Sequence, residues 1–199
     1  MAITINGSGS ITGITTRLAS AAAPAGSVIQ TVSSVKTDSA STLSTSWADI
    51  AGTDETGSGS VWECNITPSA ADSKILILYA LTASHRTGAY AGAFRLVENH
   101  GSDSVIHIGD QYGSNRTRAT GAFVNYSGDY GDMYRHTMSG AYLHSPNTTS
   151  SCSYRFEWEN YYGSSGSGYE MTLNIPRDTN DHQVYSSVPS VITLQEIAV

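Results

Sequence analysis

The stretch KILILYALTAS at positions 74–84 does most to limit what this chain can fold into. On an extended strand, Ile75, Ile77, Tyr79 and Leu81 fall on one face and Leu76, Leu78 and Ala80 on the other, so both faces are apolar. A buried helix is the competing reading of a short apolar run. Most helices are longer, however, and the residues just before it, NITPSAADS, are rich in turn formers. The expectation is a strand covered on both sides, central to the core.

Elsewhere the hydrophobic pattern has a period of two. In VWECNIT, Trp62, Cys64 and Ile66 share one face and Glu63, Asn65 and Thr67 the other. In SCSYRFEWE, Cys152, Tyr154, Phe156 and Trp158 point one way while Ser153, Arg155, Glu157 and Glu159 point the other. YEMTLNI aligns Tyr169, Met171, Leu173 and Ile175. One dry and one wet face per strand is the pattern of antiparallel sheets. SVIQTVSSV, TLSTSWADI, GAYAGAFRLVE, VIHIG, AFVNY, TMSGAYLHS and VITLQEIAV also read as strands, with GTDETGSGS at 52–60 as a flexible loop and 176–189 as a long polar one. About nine to eleven short strands with regular turns and no helix predict an all-β fold, an antiparallel β-sandwich of jelly-roll-like form. Only 14% of the residues are charged, with Gly, Ser and Thr in their place, which fits this reading.

Residues 1–27 differ. Ile3, Ile5, Ile11 and Ile14 are set singly among Gly, Ser and Thr, and Pro24 and Gly26 end the stretch. It cannot close a core of its own. A disordered tail is one reading; the spaced isoleucines favour an extended N-terminal arm that docks on another surface, with the sandwich occupying 28–199.

A formal net charge of −7 argues against nucleic acid and anionic lipid as partners. No stretch is long and apolar enough for a membrane-spanning helix. The N-terminus lacks the basic and apolar regions of a secretory signal, so synthesis in a cytoplasm is expected. Buried free thiols are the simpler reading of Cys64 and Cys152, and a disulfide is the alternative.

Reactive constellations are sparse. His85, His100, His107, His136, His144 and His182 show no metal-ligand spacing, and His107 reads as a strand residue beside Ile106 and Ile108. His136 and His144, one strand apart, would stack on one face. Asp129 with Asp132, and Asp178 with Asp181, offer oxygens but match no calcium loop. No nucleophile elbow, P-loop or dinucleotide fingerprint occurs. Glu157 and Glu159 share the wet face of one strand and do not oppose each other across a cleft, as glycosidase carboxylates must. The expectation is therefore no catalytic residue, no cofactor and no metal. Asn-x-Ser/Thr triplets begin at Asn6, Asn65, Asn115, Asn125 and Asn147, a number that a Ser- and Thr-rich chain produces by chance. Tyr126, Tyr130, Tyr134, Tyr161 and Tyr162 lie in or beside loops with Gly, Ser, Asn and Arg, a mixture suited to outward-facing binding loops or subunit interfaces.

The ordered motifs PAGSVIQTVSS, KTDSASTLSTSWADIAG, NITPSAADSKILILYALTAS, YLHSPNTTSSCSYRFEWE, LNIPRD and SSVPSVITLQEIAV resemble a domain of tailed-bacteriophage virion proteins, of the marine and cyanobacterial phage type, over roughly 24–199. TINGSGSITGIT resembles their short virion-attachment leaders. The resemblance implies a structural virion protein without catalytic residues. Its form would be a homotrimeric surface knob anchored by its N-terminal arm to other virion proteins, as a tail-fibre or appendage component with a possible host-attachment role, or as a capsid decoration. His144 stands where the family motif would place an aspartate, and both cysteines are particular to this chain. A stand-alone carbohydrate-binding module, contacting a host surface glycan, is the alternative; exposed aromatics forming a platform would mark it.

Overall fold

The computed structural model describes residues 4–5, 11–12, 23–85, 91–124, 135–161, 170–175 and 186–199. Among these the chain is all β. In order, the strands are β1 (Thr4–Ile5), β2 (Ile11–Thr12), β3 (Val28–Lys36), β4 (Ala40–Thr42), β5 (Ala48–Asp49), β6 (Glu63–Ile66) and β7 (Lys74–His85). They continue as β8 (Ala91–Asn99), β9 (Asp103–Ile106), β10 (Gly121–Val124), β11 (His136–His144), β12 (Cys152–Asn160), β13 (Met171–Leu173) and β14 (Ser190–Ile197). All pairings are antiparallel.

The strands form two six-stranded sheets and the small β1–β2 hairpin. The first sheet is built on β7, the longest strand. β11 runs along one side of it from Ile75 to Ala83. On the other side β14 pairs with Lys74–Ala80 and β13 with Ala83–His85; β3 lies beyond β14 and β4 beyond β13. The second sheet is built on β8 and β12. β10 and β9 share the outer side of β8, and β6 and β5 share the outer side of β12. The sheets pack face to face as an antiparallel β-sandwich.

The alternation read from the sequence sets the core. Ile75, Ile77, Tyr79, Leu81 and Ala83 of β7, Ile192 and Leu194 of β14, and Met171 and Leu173 of β13 point inward from the first sheet. They meet Phe94 and Leu96 of β8, Cys64 and Ile66 of β6, and Cys152, Tyr154, Phe156 and Trp158 of β12. Tyr79 and Phe156 pack across the gap with ring centroids 4.9 Å apart. Trp62 donates its indole N–H to Ser34 Oγ on β3 at 3.1 Å, so the largest core side chain is also satisfied in its polar atom. Burying these side chains contributes about 1.5–3 kcal/mol each relative to leaving them exposed, and that drives the sheets together.

Four expectations need correction. TLSTSWADI is not one strand: Ala40–Thr42 pairs in the first sheet and Ala48–Asp49 in the second, because the chain crosses between layers there. The 52–60 loop is held rather than slack, since Asp54 Oδ1 accepts from Thr56 N at 2.9 Å, Thr56 Oγ1 at 2.6 Å and Ser58 N at 2.9 Å. His107 is not a strand residue: β9 ends at Ile106, and His107 adopts a φ of 53° that turns its ring onto Tyr142. Finally, among the described residues the second face of β7 is covered only at Thr82 and Ser84, and Leu76, Leu78 and Ala80 keep partial exposure.

Candidate functional site

The outer face of the first sheet carries Leu76, Leu78 and Ala80 of β7, flanked in register by Leu143, Ala141 and Ser139 of β11 and by Gln195, Thr193 and Val191 of β14. Thr31, Ser33 and Val35 of β3 extend it. None of these twelve side chains is charged. Leu78 is 37% exposed, Leu143 47% and Val35 55%, so apolar groups stand in water near the centre and toward both edges. The second face of β7 is covered at Thr82 and Ser84, which are buried; over Leu76, Leu78 and Ala80 it stays partly exposed among the described residues.

The outer face of the second sheet is the chemical opposite. Arg155 Nε donates to Asp49 Oδ1 at 2.6 Å and its Nη2 to Asp103 Oδ2 at 2.7 Å. Arg95 Nε donates to Glu157 Oε2 at 2.6 Å, and the Arg95 guanidinium also lies 4.6 Å from the Trp47 ring centroid. Hydrogen bonding to Arg155, and then to Asn99, holds the Asp103 carboxyl below its ordinary pKa. Burial raises the Glu159 carboxyl while the Arg95 charge pulls it down. Glu157 and Glu159 do lie on one outward face, with Glu157 engaged by Arg95.

A third feature lies at the end of the sandwich where β8 turns into β9. Glu98, Tyr154 and Cys152 point inward, with Glu98 opposite Tyr154 in register. His100, on the turn, places Nδ1 2.7 Å from Glu98 Oε1. From the other sheet, His144 brings Nδ1 to 3.0 Å from the Tyr154 hydroxyl. Burial lowers the His144 pKa, so the ring is held toward neutral. Burial and the Glu98 charge push the Cys152 thiol up to about 12. Burial and the Glu55 charge do the same for Cys64. Both cysteines are buried and free, and neither thiol has the lowered pKa of a nucleophile.

Between β10 and β11 a half-open cleft of about 300 Å³ is lined by Tyr79, Leu81, Phe94, Phe156, Gly121 and Met138 among others. His136 stacks on Phe123 beside it, with centroids 5.1 Å apart. His136 and His144 thus share one face of β11, as expected, but each stacks on aromatic neighbours rather than on the other.

Of the tyrosines singled out from sequence, Tyr161 is half-buried and hydrogen-bonded to Thr117, and burial raises its pKa. Tyr126, Tyr130, Tyr134 and Tyr162 lie outside the described residues, as do Asp129, Asp132, Asp178, Asp181 and His182. Sequence reasoning missed the end cluster. Its only linear trace is Glu98 and His100 two residues apart; Cys152 joins them through the β8–β12 register.

No protein-family model and no curated protein sequence matches this chain.

Proposed function

We propose that this chain is a non-enzymatic structural protein of a tailed-phage virion. The sandwich forms a homotrimeric surface knob and residues 1–27 anchor it to other virion proteins, as a tail-fibre or appendage component that contacts the host or as a capsid decoration. The observation that carries the reading is the patch of twelve uncharged side chains on the outer face of the first sheet. A chain of net charge −7 repels its own copies over most of its surface, and this face is where copies can meet without opposing like charges. Covering Leu78, Leu143 and Val35 removes apolar surface from water and shields the sheet from non-specific association. A closed ring of three satisfies every copy in the same way. The raised thiols and the ion-paired carboxylates of the second sheet support a role without turnover.

Native mass spectrometry of the full chain, alone and as Leu78→Glu, tests the assembly. A trimer at micromolar concentration that falls to monomers in the variant, with the far-ultraviolet circular dichroism of the wild type, is expected. A wild-type monomer, or a trimer untouched by Leu78→Glu, would overturn it. Immunogold microscopy of intact particles with antibody to residues 28–199 tests the virion role: gold on the head supports decoration, gold on the tail supports an appendage, and unlabelled particles refute the proposal.

A further inference from the structure

We propose that Glu98, His100 and Cys152 form a binding site for one zinc ion, or a transition metal of like ligand preference, at the end of the sandwich. Each side chain offers one donor atom, and the three donors lie within 4.8 Å of one another. In a tetrahedral zinc site, with bonds of about 2.0–2.3 Å, neighbouring donors stand roughly 3.3–3.8 Å apart. Closing the cluster onto an ion therefore needs shifts of about an ångström. His100 can supply them, because its side chain is 40% exposed and sits on the β8–β9 turn, whereas Glu98 and Cys152 are fixed in the core.

The donor chemistry selects the ion. One sulfur, one imidazole nitrogen and one carboxylate oxygen suit zinc and its neighbours, whereas calcium and magnesium require oxygen ligands throughout. Charge balance favours the same choice. On binding, the Cys152 thiol releases its proton to solvent and His100 keeps its remaining proton on Nε2. A dication, a thiolate and a carboxylate then sum to zero at the edge of an apolar core, where any net charge is expensive. His100 leaves an entry path from solvent, and water completes the coordination on that side. The three ligands come from β8, the turn after it and the first residue of β12, so the ion would staple the paired ends of two strands.

The test uses the full chain, stripped with chelator and titrated with Zn²⁺ against a competing indicator, and with Co²⁺ followed by absorbance. One equivalent of zinc is expected, together with a thiolate-to-cobalt charge-transfer band and the intense d–d bands of a tetrahedral ion. His100→Ala, at a half-exposed turn position where folding is not at risk, and Cys152→Ser should each weaken binding by at least the order of 10–100-fold that loss of a supporting group alone produces. Cys64→Ala should bind as the wild type does. Three results would each overturn the proposal: no stoichiometric zinc uptake at micromolar metal, a cobalt complex without the thiolate band, or undiminished affinity in His100→Ala.

Discussion

Glu196 is a carboxylate buried inside the sandwich at the end of β14, and it accepts hydrogen bonds from neutral donors. Its Oε1 accepts from the Ser69 amide at 2.7 Å, the Ser69 hydroxyl at 2.6 Å and the Ser73 hydroxyl at 2.7 Å, while Oε2 accepts from Gln30 Nε2 at 2.7 Å. These bonds tie the turn between β6 and β7 to β14 and β3. Burial by itself would raise the carboxyl; the four donors outweigh it and hold the pKa below its ordinary value. Each charge-assisted bond is worth about 1.5–3 kcal/mol against about 0.5–1.5 for a neutral one, offset by the cost of desolvating the charge. Glu196→Gln keeps the shape and lets three donors keep a neutral acceptor, so it should cost roughly 1–2 kcal/mol. Glu196→Ala strands the buried Ser73 hydroxyl while water can reach the exposed Ser69, so it should cost roughly 2–4 kcal/mol. A group whose folded pKa is depressed stabilises above its unfolded value, about 4.3, and that contribution is lost as pH falls through the folded pKa. The wild-type advantage over Glu196→Gln should therefore be full at neutral pH and shrink in acid. Urea unfolding at one protein concentration, followed by fluorescence of the buried Trp62 and Trp158, measures it. Equal stability at neutral pH, or a difference unchanged through the acid range, would refute the reasoning, because the carboxylate would then gain nothing from its ionised form.

Gly140 lies opposite Tyr79, and a Cβ built there would stand 2.7 Å from Tyr79 Cζ. The ring packs against Phe156, with centroids 4.9 Å apart, so making room for the methyl group would disturb that contact. Gly140→Ala should therefore destabilise by about 1–3 kcal/mol despite alanine's stiffer backbone, and Tyr79→Leu in the same chain should remove most of that penalty; equal penalties in both backgrounds would exclude the clash. Arg155→Met should release Asp103, and its carboxyl pKa, followed by carbon-detected NMR titration, should rise toward the ordinary value. An unmoved titration would mean that the Asn99 bond alone holds it down.

The strand content, the central place of 74–84 and the inward faces of β6 and β12 were legible in the sequence. A period of two with one apolar face admits a single solution, a sheet with that face buried. Tyr79, Phe94, Phe156 and Trp158 could be assigned to the core without knowing what they touch. The failures fall where partners come from distant strands. Residues 40–49 look continuous but split between layers, because a layer change depends on which strands wait on either side. The apolar second face of β7 implied a cover along its length, and only the assembled sheets show that, among the described residues, Thr82 and Ser84 are covered while Leu78 is exposed. Glu98, His100 and Cys152 carry no motif; they converge because the β8–β12 register sets Asn99 against Ser153. Local pattern decides which way a side chain points from its own strand. The pairing of strands far apart in sequence decides what it meets there.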